Sequence, residues 1–299
     1  MSDGLYRDPL ASLRGHVEQL REGLPAREHV LSPMRRAVLP KDTVRALNAA
    51  FDAQARALTV DSDLAQVERD VLMLHDAIKN SEEWIEGIKF EATKPLGAPR
   101  AQLPSEFVNR ACEFPMLDVV HEMVQQHGGT AGVWAPSLHA SLGRFDANDV
   151  PLLLLGRTTG ENAVVGARHD DSEFFLQAPM PLGLSLHVRP SGALLGVLRS
   201  VSWVRHAVFG NPKLGDKDFE DEFSVSGGDG IPEVLLVPRL RRWLMLLSEA
   251  HMFRYLHVEE DRVELAWNEP YERESSHPRA VPRSALEIVT GLAKLAAEL

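Results

Sequence analysis

The chain has 299 residues, 44% of them hydrophobic and 25% charged, with no low-complexity run, which allows a sizeable core and argues against disorder. The formal net charge of −11 is shared by both halves: 15 basic against 20 acidic groups up to residue 130, 17 against 23 beyond it. Neither half carries the basic field that gathers phosphates, which disfavours nucleic acid and anionic lipid as partners.

Cys112 is the only cysteine, so an internal disulfide and a cysteine-based zinc site are excluded. Met1 to Pro9 lacks a cationic start followed by an apolar core, and no uncharged stretch of about 18 residues is present to span a bilayer. The expectation is a protein without signal peptide or membrane span, in the reducing cytoplasm.

Three segments in residues 1–94 repeat apolar residues at spacings of three and four, which aligns them on one helix face. They are Leu10, Leu13, Val17, Leu20, Leu24; then Val44, Leu47, Phe51, Leu58 around a polar Gln54; then Leu64, Val67, Val71, Leu74, Ile78, Ile85, Ile88 around a polar Ser81. The short Thr59–Asp63 link forces the second and third helices to run antiparallel, with Asp63 and Gln66 spaced to cap the third. A packed helical bundle or an intermolecular coiled coil both fit this stripe.

Residues 93–104 hold three prolines and a glycine and mark the boundary between a helical part, 1–94, and an α+β part, 105–299. Two helices follow, one capped by Ser105 and one from Pro115 presenting Met116, Val119, Val120 and Met123 and ending at Gly128-Gly129. Strands are expected at Val150–Leu155, Asn162–Ala167, Glu173–Ala178 and Leu182–Val188, as an antiparallel meander, while residues 191–209 are ambiguous. Beyond them come a strand at Phe223–Val225, a Gly227–Gly230 turn and a helix with Pro238 in its first turn and Leu240, Trp243, Leu244 and Leu247 inward. A hairpin of Tyr255–Val258 against Val263–Trp267 follows. The last helix opens on Ser284 and Glu287 in capping-box spacing and turns Ile288, Val289, Leu292, Leu295 and Leu299 inward.

Phe219 to Val225, then Val234-Leu235-Leu236-Val237-Pro238, Leu244 to Leu247, the hairpin and the terminal helix resemble a bacterial family of uncharacterised proteins. Leu154 to Arg157 and Pro179 to Leu184 are similar to the same group, so the resemblance covers roughly residues 150–299. It implies an architecture and no activity, cofactor or ligand.

Several polar sets invite a chemical reading. Asp216, Asp218 and Glu220 alternate as in a calcium loop, but Asp221 stands where that loop needs glycine and Gly227 where it needs a bidentate glutamate, so a solvated acidic entry to a strand is expected. Asp118, His121 and Glu122 can share one helix face, with His127 nearby, yet no HExxH pattern accompanies them. His169-Asp170-Asp171 reads as a turn, and no G-x-S-x-G element is present. Gly227-Gly228-Asp229-Gly230 lacks the Lys-Ser/Thr of a phosphate loop, and Cys112 sits among apolar positions.

The sequence therefore predicts an α+β protein: an antiparallel helical hairpin or bundle, then a mainly antiparallel sheet with C-terminal helices. No catalytic, cofactor or metal site is expected. The expected function is non-enzymatic, binding a protein partner or a second copy through the N-terminal helices. The alternative is an enzyme or small-molecule binder with a pocket on the C-terminal sheet.

Overall fold

The computed structural model of the protein describes residues 9–55, 63–97, 116–133, 140–159, 171–191, 212–270 and 280–299. The expected features at Leu58, Thr59–Ser62, Ser105, Asn162–Ala167 and 192–209 lie outside these, as do Cys112, His169 and Asp170. The chain forms two compact units, Met1–Gly87 with Leu299, and Ile88–Glu298.

The first unit is helical: α1 (Pro9–Glu22), α2 (Arg27–Val30), α3 (Pro33–Val38), α4 (Lys41–Gln54) and α5 (Leu64–Ala92), whose last turn belongs to the second unit. Arg21, at the end of α1, donates to the Gln54 carbonyl at 2.7 Å and Arg27, on α2, to Asn48 at 2.6 Å, so the C-terminal half of α4 lies beside the chain between α1 and α2. His16 lies 3.7 Å from Glu68, and the His75 ring nitrogen 3.3 Å from the Leu20 carbonyl, so α1 and α5 run the same way. The helix α4 ends at Gln54 and α5 begins at Leu64, so the link between them is longer than the expected Thr59–Asp63. Val17, Leu47, Phe51, Val71, Leu74 and Ile85 are buried and Ile78 half-buried, so the apolar stripes do form the core of this unit.

Ser81, the polar break in the α5 stripe, is fully buried and satisfied by donating to the Ile78 carbonyl at 2.7 Å. Asp63 caps α5 by accepting from the amides of Ala65 and Gln66 at 3.1 and 3.2 Å. Gln66 does not complete the box; its side chain donates to Asp70 one turn on. The segment before α4 carries two short helices that apolar spacing does not reveal. Ser32 caps α3 ahead of Pro33, and buried Arg35 reaches both carboxylate oxygens of Glu82 and the Leu299 carbonyl.

The second unit is built on an eight-stranded sheet in the order β1-β2-β3-β4-β8-β7-β5-β6. The strands are β1 (Thr130–Val133), β2 (Ala140–Ala147), β3 (Val150–Thr159), β4 (Asp171–Pro179), β5 (Ser185–Pro190), β6 (Phe223–Gly227), β7 (Met252–Glu259) and β8 (Arg262–Pro270), and every neighbouring pair is antiparallel. Around them lie α6 (Met116–Gln125), α7 (Lys217–Glu222), α8 (Ile231–Leu235), α9 (Pro238–Ala250) and α10 (Arg283–Ala297). No helix among the described residues is long and apolar enough to cross a membrane.

The register aligns Gly143, Leu154, Leu176, Leu265, Leu256, Val188 and Val225 in one row across seven strands. That face meets α6: a β-carbon on Gly143 would lie 2.5 Å from a Val124 methyl, so the missing side chain lets the helix approach. Three residues past the end of the same helix, Gly128 takes a φ of 69° that suits glycine. The hairpin joining β2 to β3 turns on Asn148 and Asp149, both at positive φ, the geometry of a two-residue primed turn.

Helix α10 packs across β3, β4 and β8, with Ile288, Val289 and Leu292 fully buried and Leu295 half-buried. Its start differs from the capping-box expectation. Pro282 is the N-cap, Ser284 is buried in the first turn, and Glu287 instead accepts from Arg239 at 2.8 Å. The acidic stretch before β6 is the helix α7, with Asp218 and Asp221 exposed. Asp216 accepts from the Phe219 amide at 3.2 Å and Glu220 from the Gly215 amide at 2.8 Å, so the carboxylates close a turn and Phe219 is driven inward.

Candidate functional site

The polar sets weighed from the sequence do not converge. Asp118, His121 and Glu122 are all exposed on α6, while His127 stacks on Phe145 with ring centroids 4.9 Å apart. Asp216 and Glu220 are taken up by the α7 turn, and Gly230 stands at φ 73° before α8, where its flexibility is conformational.

A pocket of about 230 Å³ gathers His127, Arg144 and Asp146 beside Leu152 and Leu96. Arg144, however, donates to the carbonyls of Leu96 and Gly97 at 2.8 and 2.7 Å, so it clamps chain rather than awaiting a ligand. A larger pocket of about 360 Å³ joins the apolar Val150, Pro151, Pro179 and Ala293 to the charged Lys89 and Lys294, and has no histidine in its lining.

Polar groups do converge on the sheet face opposite the α6-facing row. The register sets His187, His257, Glu264 and Gln177 in line across β5, β7, β8 and β4. Alternation then adds Ser185, Arg189, Tyr255 and Glu259 to the same face. An irregularity in β7 between Phe253 and Tyr255 makes this possible: Phe253 pairs with Trp267, and Tyr255 with the next residue back, Ala266. The bulge turns Phe253 to one face and Tyr255, His257 and Glu259 to the other.

The two imidazoles meet edge to face, with centroids 4.6 Å apart, and Tyr255 stacks on His257 at 4.2 Å. His187 Nε2 lies 3.4 Å from a Glu259 carboxylate oxygen and 3.3 Å from the Ser185 hydroxyl. Arg189 Nη2 is 3.4 Å from His257 Nε2, and because a guanidinium only donates, that nitrogen accepts. Burial, then the charges of His187 and Arg189, push the His257 pKa down to about 4. At neutral pH it is an uncharged imidazole with a lone pair on Nε2.

The Tyr255 hydroxyl donates to Glu264 at 2.6 Å, and Gln177 donates to the other Glu264 oxygen. Arg262 in turn donates to Gln177 at 3.2 Å. Burial first, then the adjacent Glu264 charge and its hydrogen bond, hold the Tyr255 phenol well above its ordinary range, so it stays a donor. Two rows away Arg157 pairs with buried Glu173 at 2.7 Å and lies over Phe175. Arg157 Nη1 and Asn268 Oδ1, on either side of Glu173 in that row, are buried without a hydrogen-bond partner.

Among the described residues, one group brings three metal-ligating atoms within 4.8 Å of one another: His187, His257 and Glu259. Sequence reading missed it because the two histidines lie about 70 positions apart and no local motif joins them. A signal was present: Leu-His-Val occurs twice, at 186–188 and 256–258, each time in strand alternation. Comparison of the chain with family models, with curated proteins and with solved structures finds no match.

Proposed function

We propose that the protein acts by binding another protein, with α5 of the helical unit as its contact element. The observation that carries this reading is the exposure of large apolar side chains on that helix: Leu72 is 47%, Met73 65% and Trp84 51% exposed. Met73 and Trp84 are separated by about three helical turns, so they lie on one side of α5. Between and beside them Ala77 is half-buried, and Asn80 and Gly87 are exposed. None of these three carries a long side chain, so the strip stays low. A low strip with apolar ends suits close packing by another helix, and Asn80 would sit within it as a hydrogen-bonding group.

A photo-crosslinking residue at position 73 of the full chain, expressed in its own cell, tests this directly. The expected result is a discrete adduct at position 73 and none from exposed Arg254 on the sheet unit. Absence of any adduct at 73 and 84 alike would overturn it, and the adduct's mass separates a foreign partner from a second copy.

The buried, unpaired Arg157 Nη1 and Asn268 Oδ1 favour a second reading, in which the sheet unit holds a small polar ligand. A donor and an acceptor left without partners on the two sides of Glu173 are what such a ligand, or ordered water, satisfies. Replacing Asn268 by Leu should then abolish ligand-induced thermal stabilisation in a screen of small polar metabolites. An unchanged set of stabilising compounds would remove this reading.

A further inference from the structure

We infer that His187, His257 and Glu259 form a binding site for a divalent transition-metal ion of the zinc class. The inference is independent of the role proposed for α5. It starts from the backbone: His187 and His257 are direct partners in the antiparallel β5–β7 pair, and Glu259 follows His257 by two residues, on the same face. Both strands have a partner on each side, so three ligands project from a scaffold that is paired throughout.

The distances suit such an ion. Bonds of about 2.0–2.1 Å to nitrogen and oxygen place tetrahedral ligand atoms about 3.3 Å apart. His187 Nε2 and the Glu259 oxygen already stand 3.4 Å apart, and the whole set lies within 4.8 Å. Rotation of a half-exposed carboxylate and a modest tilt of two rings supplies the remainder. Two imidazoles and one carboxylate select zinc, cobalt or nickel over magnesium and calcium, which take oxygen ligands.

Surrounding groups orient the ligands. Tyr255 stacks on the His257 ring and is itself anchored by Glu264, so that ring has a fixed plane. Arg189 opposes the ion: its guanidinium occupies His257 Nε2, and metal binding requires it to swing into solvent, which its exposed position permits. The ion would thus compete with a cation already resident. Three protein ligands leave at least one coordination position for water, as in exchangeable rather than closed sites.

The experiment uses the full chain, stripped with chelator and titrated with Co²⁺ followed by visible absorption, then back-titrated with Zn²⁺. One equivalent per chain is expected, with the intense spectrum of a four- or five-coordinate ion. Losing a ligand through H257A or E259Q should weaken binding at least as much as the roughly 10–100-fold cost of removing an outer-shell partner. R189Q should strengthen it, because the competing cation is gone. Thermal melts of the metal-free variants check folding, and H187N reads the same site from the other strand if H257A does not fold. Stoichiometry and affinity unchanged in H187N and E259Q, or a weak octahedral spectrum in the unsubstituted protein, would overturn the assignment.

Discussion

The helical unit and the sheet unit handle buried polar groups in opposite ways. In the helical unit the polar exceptions are closed locally or by one strong pair: Ser81 bonds three residues back, and Arg35 is held by Glu82 and a main-chain carbonyl. In the sheet unit one face carries, beside a buried apolar row of Leu155, Phe175 and Ala266, polar side chains joined across strands in a register that places His187, His257, Glu264 and Gln177 in one line. A helix makes neighbours of residues three and four apart, whereas a sheet makes neighbours of residues distant in the chain. Convergent chemistry is therefore concentrated in the sheet unit, and the exposed apolar surface of α5 lies on an element whose own polar needs are met.

The largest effect expected from this contrast is removal of α10. Burying Ile288, Val289 and Leu292 contributes roughly 1.5–3 kcal/mol each, which together rivals the stability of a whole domain. A chain ending at Ala280 should lose cooperative melting of the sheet unit, and a sharp transition at the full-length temperature would contradict that. The helical unit has a smaller but comparable test in Leu74, fully buried on α5. Leu74→Ala should cost about 2–5 kcal/mol, read as a lowered denaturation midpoint.

A finer test concerns the α7 turn. Asp216→Ala removes the acceptor for the Phe219 amide and should cost about 1 kcal/mol, measured by urea denaturation. An unaffected midpoint would mean that Phe219 burial alone holds the helix.

The smallest effect follows from His257, whose pKa falls from 6.5 to about 4 on folding. Above pH 6.5 the ring is neutral in both states, and its contribution to stability is fully present. As pH falls from 6.5 towards 4 the unfolded chain takes up a proton that the folded chain refuses, so stability declines. The refusal comes from burial and from His187 and Arg189, while the carboxylates of Glu259, 3.4 Å from His187, and Glu264, across from His257 on β8, face the pair. The decline is modest because the ring is partly exposed and solvent screens it. Comparing urea midpoints at about pH 7 and about pH 5 should show a larger drop in the unsubstituted protein than in H257Q, and equal drops would contradict the shift.

Much of the fold was legible because it rests on local periodicity. The stripes of α1, α4, α5 and α10 repeat every three or four residues, and β7 and β8 alternate around a short acidic tip, so both are written in neighbouring positions. Elements resting on caps or close approach were not: α3 depends on Ser32-Pro33, and β2 is interrupted by Gly143, whose missing side chain makes room for Val124. The Ser284–Glu287 and Asp63–Gln66 boxes had the right spacing, but Glu287 and Gln66 found other partners in Arg239 and Asp70. The histidine pair was out of reach because register, not spacing, sets His187 against His257.

By itself the amino-acid sequence determined the two-part α+β order, the apolar faces of the long helices and the antiparallel character of the strands. Each of these follows from propensity and period within about a dozen residues. Tertiary structure alone decided which strands are neighbours, which face of β7 the bulge turns outward, and hence that two Leu-His-Val strands lie side by side with a glutamate in reach. Pairing between distant strands is chosen by the burial of the whole sheet, and a one-residue slip would exchange its two faces.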